Sequence, residues 1–409
     1  MTVLTCAIQF GSSRILAIAA QKDLQTGALL NIQIESEPTE GCIKHGLVVN
    51  TELAAKHLRS IIKKLNNRTL SSITAAYVSV GGMSLHSLKQ QPSVQIPDYD
   101  VLSSEPMESG DCQLIVGLKA LRQGIKTAMD RAGIRVIGYI AQPLATATII
   151  SSEERQQGCL LVDMGAASTT VAIYKNGHLQ HLAVIPLGGQ CVTNDIQSAG
   201  CNAEDAERVK VDWSDVSKEV STEATANNPV STLFGDKTLP IPQSKLNNIA
   251  LCRYEEIVAN IRHQIEISGQ DKLEAGCIIT GGAAMQRGLT SLISRCLSIS
   301  RVEIRAYKEP VMRGSERKTH LTNLLGLLNF CTKTCIDPAE APKPASNQPA
   351  AAGTSEPAKP VAPASNPNEP TLFPDESAAI EEQAAETPNH STIKESLWRF
   401  AKDLITGQN

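Results

Sequence analysis

Three short glycine-containing stretches hold the residues of this chain best suited to grip an anion. They are Gly11-Ser12-Ser13-Arg14, Gly165-Ala166-Ala167-Ser168 and Gly281-Gly282-Ala283-Ala284. Each follows a short apolar run that reads as a β-strand. Small side chains at such a turn leave backbone N–H groups open, and a concave run of amides suits phosphate. Asp163 stands at the end of the strand that enters the second turn. A carboxylate there would hold a magnesium ion through water. The matching position before the first turn is Gln9. One glycine turn by itself usually only reverses the chain. Two matched turns and a third, in this order, make a stronger case for phosphate chemistry.

The elements that must position these turns follow from periodicity. Residues 3–10 read as a strand, 14–20 as a second and 28–36 as a third. Residues 51–66 repeat apolar positions at helical spacing through Leu53, Ala54, Leu58, Ile61, Ile62 and Leu65. Residues 73–80 form another strand. Residues 89–112 carry Pro92, Pro97, Pro106 and Gly110 and read as poor in regular structure. Leu118 to Ala132 is a helix stopped by Gly133, and residues 134–140 are a strand. The opening pattern then recurs about 150 residues on. Residues 159–163 and 169–174 are strands, Asn176-Gly177 marks a hairpin, and His178 to Pro186 is a third strand.

The bulk composition narrows the function. The chain has 409 residues, 42% of them hydrophobic, enough for two or more lobes with real cores. A net charge of −4 and 3% aromatics argue against nucleic-acid binding. The N-terminus does not read as a signal peptide, and no apolar run approaches the ~20 residues that span a bilayer. The 11 cysteines lie mostly in apolar runs, as reduced core thiols do. Cys331 and Cys335 lack a second ligand pair and read as the last turn of a buried helix.

The ordered set of motifs resembles the actin-like ATPase superfamily and, within it, the bacterial cell-division family FtsA. Phe10-Gly-Ser-Ser-Arg14 resembles the first phosphate loop, Val162 to Thr169 the second, and Ile279 to Ala284 the adenosine loop. Gly188-Gly189 with Val192 to Ile196, Ala206 to Lys210, and Arg253 to Ile257 are similar to family segments. Gln142 to Ala145 resembles the segment that connects the lobes, and Gly326 to Leu328 the closing helix. The resemblance implies an α/β fold of the actin-like (ribonuclease-H-like) two-lobed type. It places the first lobe at 1–150, with a shortened small subdomain around 84–133, and the second lobe at 151–336.

It also implies a site for ATP and Mg2+. Gly11, Ser12, Ser13 and Arg14 would lie near the terminal phosphates, with Gly165, Ala166 and Ser168 across from them. Gly188 and Gly189 belong to the same set, and Asp163 would serve the metal. Glu207 and Lys210 would sit by the ribose and base, and Gly281, Gly282 and Ala283 would back the adenine. Read without the family, Glu207 and Lys210 are an exposed pair three residues apart on a helix. The family has Asp at Gln9 and a more glycine-rich second loop. No catalytic residue is assigned, and ATP hydrolysis is expected to be weak or absent.

Beyond the body, residues 337–390 read as a disordered linker. Positions 338–390 hold 11 of the 21 prolines and many alanines. Residues 391–409 then form an amphipathic helix, opened by Thr392 and Glu395 in capping-box order. Ile393, Leu397, Phe400, Leu404 and Ile405 share its apolar face, and Trp398 lies at the edge beside Lys394, Arg399 and Lys402. Such a face suits a lipid headgroup boundary. The resemblance therefore implies a peripheral protein on the cytoplasmic face of the cell membrane at the division site. Its partners would be the C-terminal tail of the tubulin-like protein FtsZ, membrane lipid, further copies of itself and later division proteins, with Arg287, Arg295 and Arg301 as a basic patch for an acidic tail. A PilM-type pilus-platform protein and a kinase or ATPase of the same superfamily are the alternatives.

Overall fold

The structure is a computed structural model, and it describes residues 1–91, 96–107, 110–217, 229–231, 238–270, 272–308 and 318–336. The first lobe opens with strands β1 (Thr2–Phe10), β2 (Arg14–Asp23) and β3 (Leu29–Pro38). A short hairpin follows, β4 (Ile43–Lys44) and β5 (Leu47–Val48), and then helix α1 (Thr51–Thr69). Asn50 caps α1 by accepting from Leu53 N, which satisfies one of the amides a helix start leaves open. Its Ala54, Leu58, Ile61 and Leu65 are fully buried. Strand β6 (Ala75–Val80) is buried along its whole length, as expected of a strand inside a sheet covered on both faces.

The described residues of the stretch 89–112 are not irregular. Strands β7 (His86–Gln90), β8 (Tyr99–Pro106) and β9 (Cys112–Leu118) form an antiparallel sheet of order β7-β9-β8. Pro106 is the last residue of β8, an edge strand where a missing amide N–H costs nothing in the ladder. Gly110 takes a positive φ in the turn before β9. Pro97, Pro106 and Gly110 are thus punctuation between strands. Helix α2 (Lys119–Ala132) ends at Gly133 in the left-handed region, and β10 (Arg135–Ala141) completes the lobe.

Two short helices, α3 (Gln142–Thr146) and α4 (Ser152–Gln157), lead to the second lobe. Its sheet begins with β11 (Cys159–Met164), β12 (Thr169–Lys175) and β13 (His178–Ile185). Asn176 and Gly177 both have positive φ, as a tight hairpin turn between β12 and β13 requires. Helices α5 (Gly189–Ser198) and α6 (Ala203–Trp213), a hairpin of β14 (Pro229–Ser231) and β15 (Thr238–Pro242), and the long α7 (Gln243–Ser268) follow. Strand β16 (Gly276–Thr280), helix α8 (Leu289–Leu297) and β17 (Val302–Ile304) close it.

The two large sheets have matched order. The first runs β10-β6-β1-β2-β3 and the second β17-β16-β11-β12-β13. In each, one hairpin-linked antiparallel set of three meets two parallel strands. Register makes the repeat exact at one point of interest. Gln9 pairs with Ser79 of the parallel neighbour, and Asp163 pairs with Thr280.

The end of the chain departs from the sequence reading. Helix α9 (Thr322–Leu327) returns to the first lobe. Its Leu324 and Leu327, with Leu328, pack on Ala7, Ile18 and Tyr77. Cys335 then hydrogen-bonds to Leu4, Thr74 and Ala75. Residues from about 324 on therefore pack on the first sheet, while Thr319 and Thr322 still bond to Thr280 of the second. Cys331 follows a 3-10 turn, and Cys335 lies in this extended stretch instead of a helix. Burial pushes their thiols up to about 11 and about 12, and both are free. Among the described residues, no helix is long and apolar enough to cross a membrane.

A largely buried ion pair ties α4 to Arg305, the residue after β17. Arg305 donates to both oxygens of Glu154 at 2.8 and 2.9 Å, and Glu154 also closes a capping box with Ser151. Hydrogen bonds from Arg305 hold the Glu154 carboxyl down at about 2. A depressed carboxylate stabilises the fold above its unfolded value of about 4.5 and loses that contribution as pH falls toward 2. Glu154→Gln should therefore cost on the order of 2 kcal/mol at pH 7. The gap to wild type in urea unfolding should narrow below about pH 4.5. A gap that stays constant down to pH 3 would show that the charge is not what matters.

Candidate functional site

A cavity of about 750 Å³ opens between the ends of the two large sheets. Its floor is the pair of matched turns. In the first, Gly11 N donates to Arg14 O at 3.1 Å; in the second, Gly165 N donates to Ser168 O at 2.9 Å. A Cβ on Gly11 would lie 2.8 Å from Arg14 O, so the tight turn needs glycine there. Scaffold donors tie the turn carbonyls back. Thr39 donates from Oγ1 to Ser12 O at 2.8 Å and from N to Ser13 O at 3.1 Å. Gly189 N and Gln190 N, at the start of α5, donate to Gly165 O and Ala166 O. A peptide whose carbonyl is tied one way presents its N–H the other way, which forms an anion-receptive rim.

Behind the turns lies a polar network. Asp163 Oδ2 accepts from Gln142 Nε2 at 3.3 Å and Thr146 Oγ1 at 3.2 Å. Asn323 Nδ2 donates to Gln142 O at 2.8 Å, and Asn323 Oδ1 accepts from Ser79 Oγ at 3.0 Å. Burial pushes the Asp163 carboxyl above the usual carboxylate range, against the pull of its two donors. On the first lobe Gln9 holds the equivalent strand position. Its Oε1 is buried with no hydrogen-bond partner among the described residues.

The far end of the cavity is built by α5, α6, α7 and the Gly281 turn. Lys210 is buried and donates to Gly189 O at 3.1 Å, Thr193 Oγ1 at 2.9 Å and Glu207 Oε2 at 2.6 Å. It is not one half of an exposed pair; only Glu207 reaches solvent. Gly189 lets α5 approach the turn, for a Cβ there would sit 3.0 Å from Ala283 Cβ. Two neighbours on α7 brace the walls. Arg253 clamps Asp195 of α5 through Nε and Nη2 at 2.7 and 3.0 Å, and Tyr254 donates from its hydroxyl to Ala283 O.

Of the residues singled out from the sequence, Gly11, Ser12, Ser13, Arg14, Asp163, Gly165, Ala166, Ser168, Gly189, Glu207, Lys210, Gly281, Gly282 and Ala283 all line this one cavity. Gly188 does not; it caps α5 from behind the second turn. The Arg14 guanidinium is held to Ser36 on β3 at 2.9 and 3.1 Å. Sequence reasoning passed over Gly81, Thr193, Tyr254, His320 and Asn323 as lining residues and took Gln142 only as a connector. Gly81 had a visible signal, a Gly-Gly pair after a strand. The others sit on ordinary helix or loop sequence. The supposed basic patch is broken up, since Arg301 faces Glu154 and Glu303 and Arg295 faces Glu255. The membrane-face residues Ile393, Leu397, Trp398, Phe400, Leu404 and Ile405 lie outside the described residues.

The cavity residues fit the phosphates of a nucleotide: two amide rims face each other, with glycines wherever a Cβ would intrude. They do not fit a metal held by carboxylates from both lobes. Asp163 is the one carboxylate at the turns, its partner position is an amide, and no group of three or more His, Cys, Asp or Glu gathers among the described residues.

Two matched sheets joined by crossing helices over such a cleft define an actin-like α/β protein. The family model of the cell division protein FtsA matches residues 160–325. The FtsA of Porphyromonas gingivalis is 26% identical over 386 residues, covering 82% of this chain and 80% of that protein. The FtsA of Bacillus subtilis is 33% identical over 181 residues, 44% of this chain and 41% of that protein. Among solved structures, a chain of the PilM–PilN type IV pilus biogenesis complex superposes with a TM-score of 0.59 at 16% identity, over 82% of this chain and 99% of that one. MreB5 of Spiroplasma citri bound to ADP gives 0.53 at 13% identity, over 80% and 96%. Over most of its length the chain is similar to proteins named cell division protein FtsA.

Gly281 has no room for a side chain at the site. Its φ is +92°, and a Cβ would lie 2.4 Å from Met164 O and 2.5 Å from Asp163 Oδ1. Gly281→Ala should lower stability by ~2 kcal/mol or more, read as a drop in the thermal midpoint. An unchanged midpoint would mean that the turn is not held against β11 as described.

Proposed function

We propose that this chain is a cell-division adaptor. Its two-lobed body takes up a nucleotide for structure and assembly, and its terminal helix fastens that body to the cytoplasmic face of the membrane. The observation that carries the reading is the cleft itself. Its paired turns stand in FtsA order, and the relatives that match most of the chain are named cell division protein FtsA. MreB5 of the same fold holds ADP, which supports a nucleotide here.

Among the described residues, Asp163 is the one carboxylate at the turns. Gln9 replaces the carboxylate that hydrolysis would use for charge control. Turnover is therefore slow or absent, and nucleotide acts as a strut between lobes. The FtsZ tail, lipid and further copies of the chain are the partners this role requires. A single short amphipathic face binds lipid weakly and reversibly, so several linked copies would hold far better than one.

The match to a chain of the PilM–PilN complex speaks for the fold alone. The Pro/Ala-rich composition of 338–390 and the amphipathic sequence pattern of 391–409 favour the division adaptor.

The test uses the full chain and a variant lacking residues 391–409. Co-sedimentation with anionic phospholipid vesicles should fall at least about tenfold on deletion. A fluorescent fusion should form a midcell band in dividing cells only when the helix is present. Unchanged vesicle binding, or a diffuse signal from the full chain, would overturn the anchor. Steady ATP turnover at about 1 s⁻¹ or faster would overturn the structural role of nucleotide.

A further inference from the structure

The two strand-end positions that face each other across the cleft are not equivalent in charge. Gln9 and Asp163 occupy the same place in two matched sheets. Gln9 contributes a neutral amide whose Oε1 is buried and unpartnered. Asp163 is engaged with Gln142 and Thr146 and packs directly beneath Gly281. The second carboxylate of the cavity, Glu207, is taken up by Lys210 and Thr193 at the other end. A magnesium ion dehydrates reluctantly and sits on one or two carboxylates besides the substrate phosphates. This cleft offers it one, already committed to holding the lobes together.

The hydrogen-bond donors are arranged the other way. Arg14 closes the first turn and lines the cavity. His320 lines it from the segment before α9, with its Cβ 3.8 Å from where a Cβ on Gly282 would be. Arg14 and His320 lie close enough for the guanidinium to influence the imidazole. A guanidinium and an imidazole N–H are both phosphate donors, and the imidazole donates in either protonation state. We propose that the cleft holds a nucleoside polyphosphate without a divalent cation. The phosphate charge is met by the amides of the two turns and by Arg14 and His320. This rests on the reading that the cleft takes nucleotide at all.

The experiment is fluorescence anisotropy of labelled ADP on the full chain, in EDTA and in millimolar MgCl2. The dissociation constants should agree within about twofold. Gln9→Asp restores the missing carboxylate and should weaken binding about tenfold in EDTA, with Mg2+ recovering it. Arg14→Ala and His320→Ala should each weaken binding by a similar factor in EDTA and in Mg2+ alike. A wild-type affinity that drops tenfold or more in EDTA would overturn the proposal and leave nucleotide binding intact. Equal affinity in both buffers with Arg14→Ala and His320→Ala unchanged would overturn the assigned donors. No binding in either buffer would overturn the nucleotide reading itself.

Discussion

The structure turns on one buried side chain, Asn323. Its amide oxygen accepts from Ser79 on the first sheet, and its amide nitrogen donates to Gln142 O and Thr146 Oγ1 on the connecting helix. Thr146 and Gln142 in turn hold Asp163 on the second sheet. A buried polar group left unpaired costs about 1–3 kcal/mol, so each member of this chain of bonds fixes the next. The lobes cannot separate there without leaving several polar groups unpaired. Gly326 makes the crossing possible. A Cβ on it would fall 2.1 Å from Ala145 O, so α9 and α3 meet backbone to backbone.

A second tie limits how the lobes can part. The small sheet inserted in the first lobe lies along β13, the edge strand of the second. Ser87 Oγ accepts from Leu182 N at 2.8 Å, and Gln113 Nε2 donates to Gln180 O at 3.3 Å. His178 Nδ1 and Glu105 Oε1 lie 2.8 Å apart at the same seam. An exposed sheet edge is otherwise an open invitation to foreign strands. Covering β13 protects that edge and ties the small sheet to the second lobe.

The repeat explains why a cleft exists and the differences between halves explain its chemistry. Two copies of the same sheet order aim two turns at one space. Once the backbone is matched, function is decided by side chains at equivalent places. At one such pair the halves differ by a carboxylate against an amide. At another, Gly11-Ser12-Ser13-Arg14 ends in a cation while Gly165-Ala166-Ala167-Ser168 ends in a hydroxyl. The net effect is a cavity richer in anion donors than in metal ligands.

Much of this was legible in the chain. Strands β1 to β3 and β11 to β13, helices α1 and α2, and the three glycine turns follow from periodicity and from glycine's local conformational freedom. Both are near-neighbour effects. The small sheet was not legible, because Pro106 and Gly110 look the same as strand ends and as loop. Lys210 looked like a surface residue, for spacing along a helix does not say what another helix brings to it. The return of α9 to the first sheet, and the joining of Ser79, Gln142, Asp163 and Asn323 across some 240 positions, were decided by the tertiary structure alone. Contacts between residues so far apart in the chain depend on how sheets pack, and no local pattern carries that information.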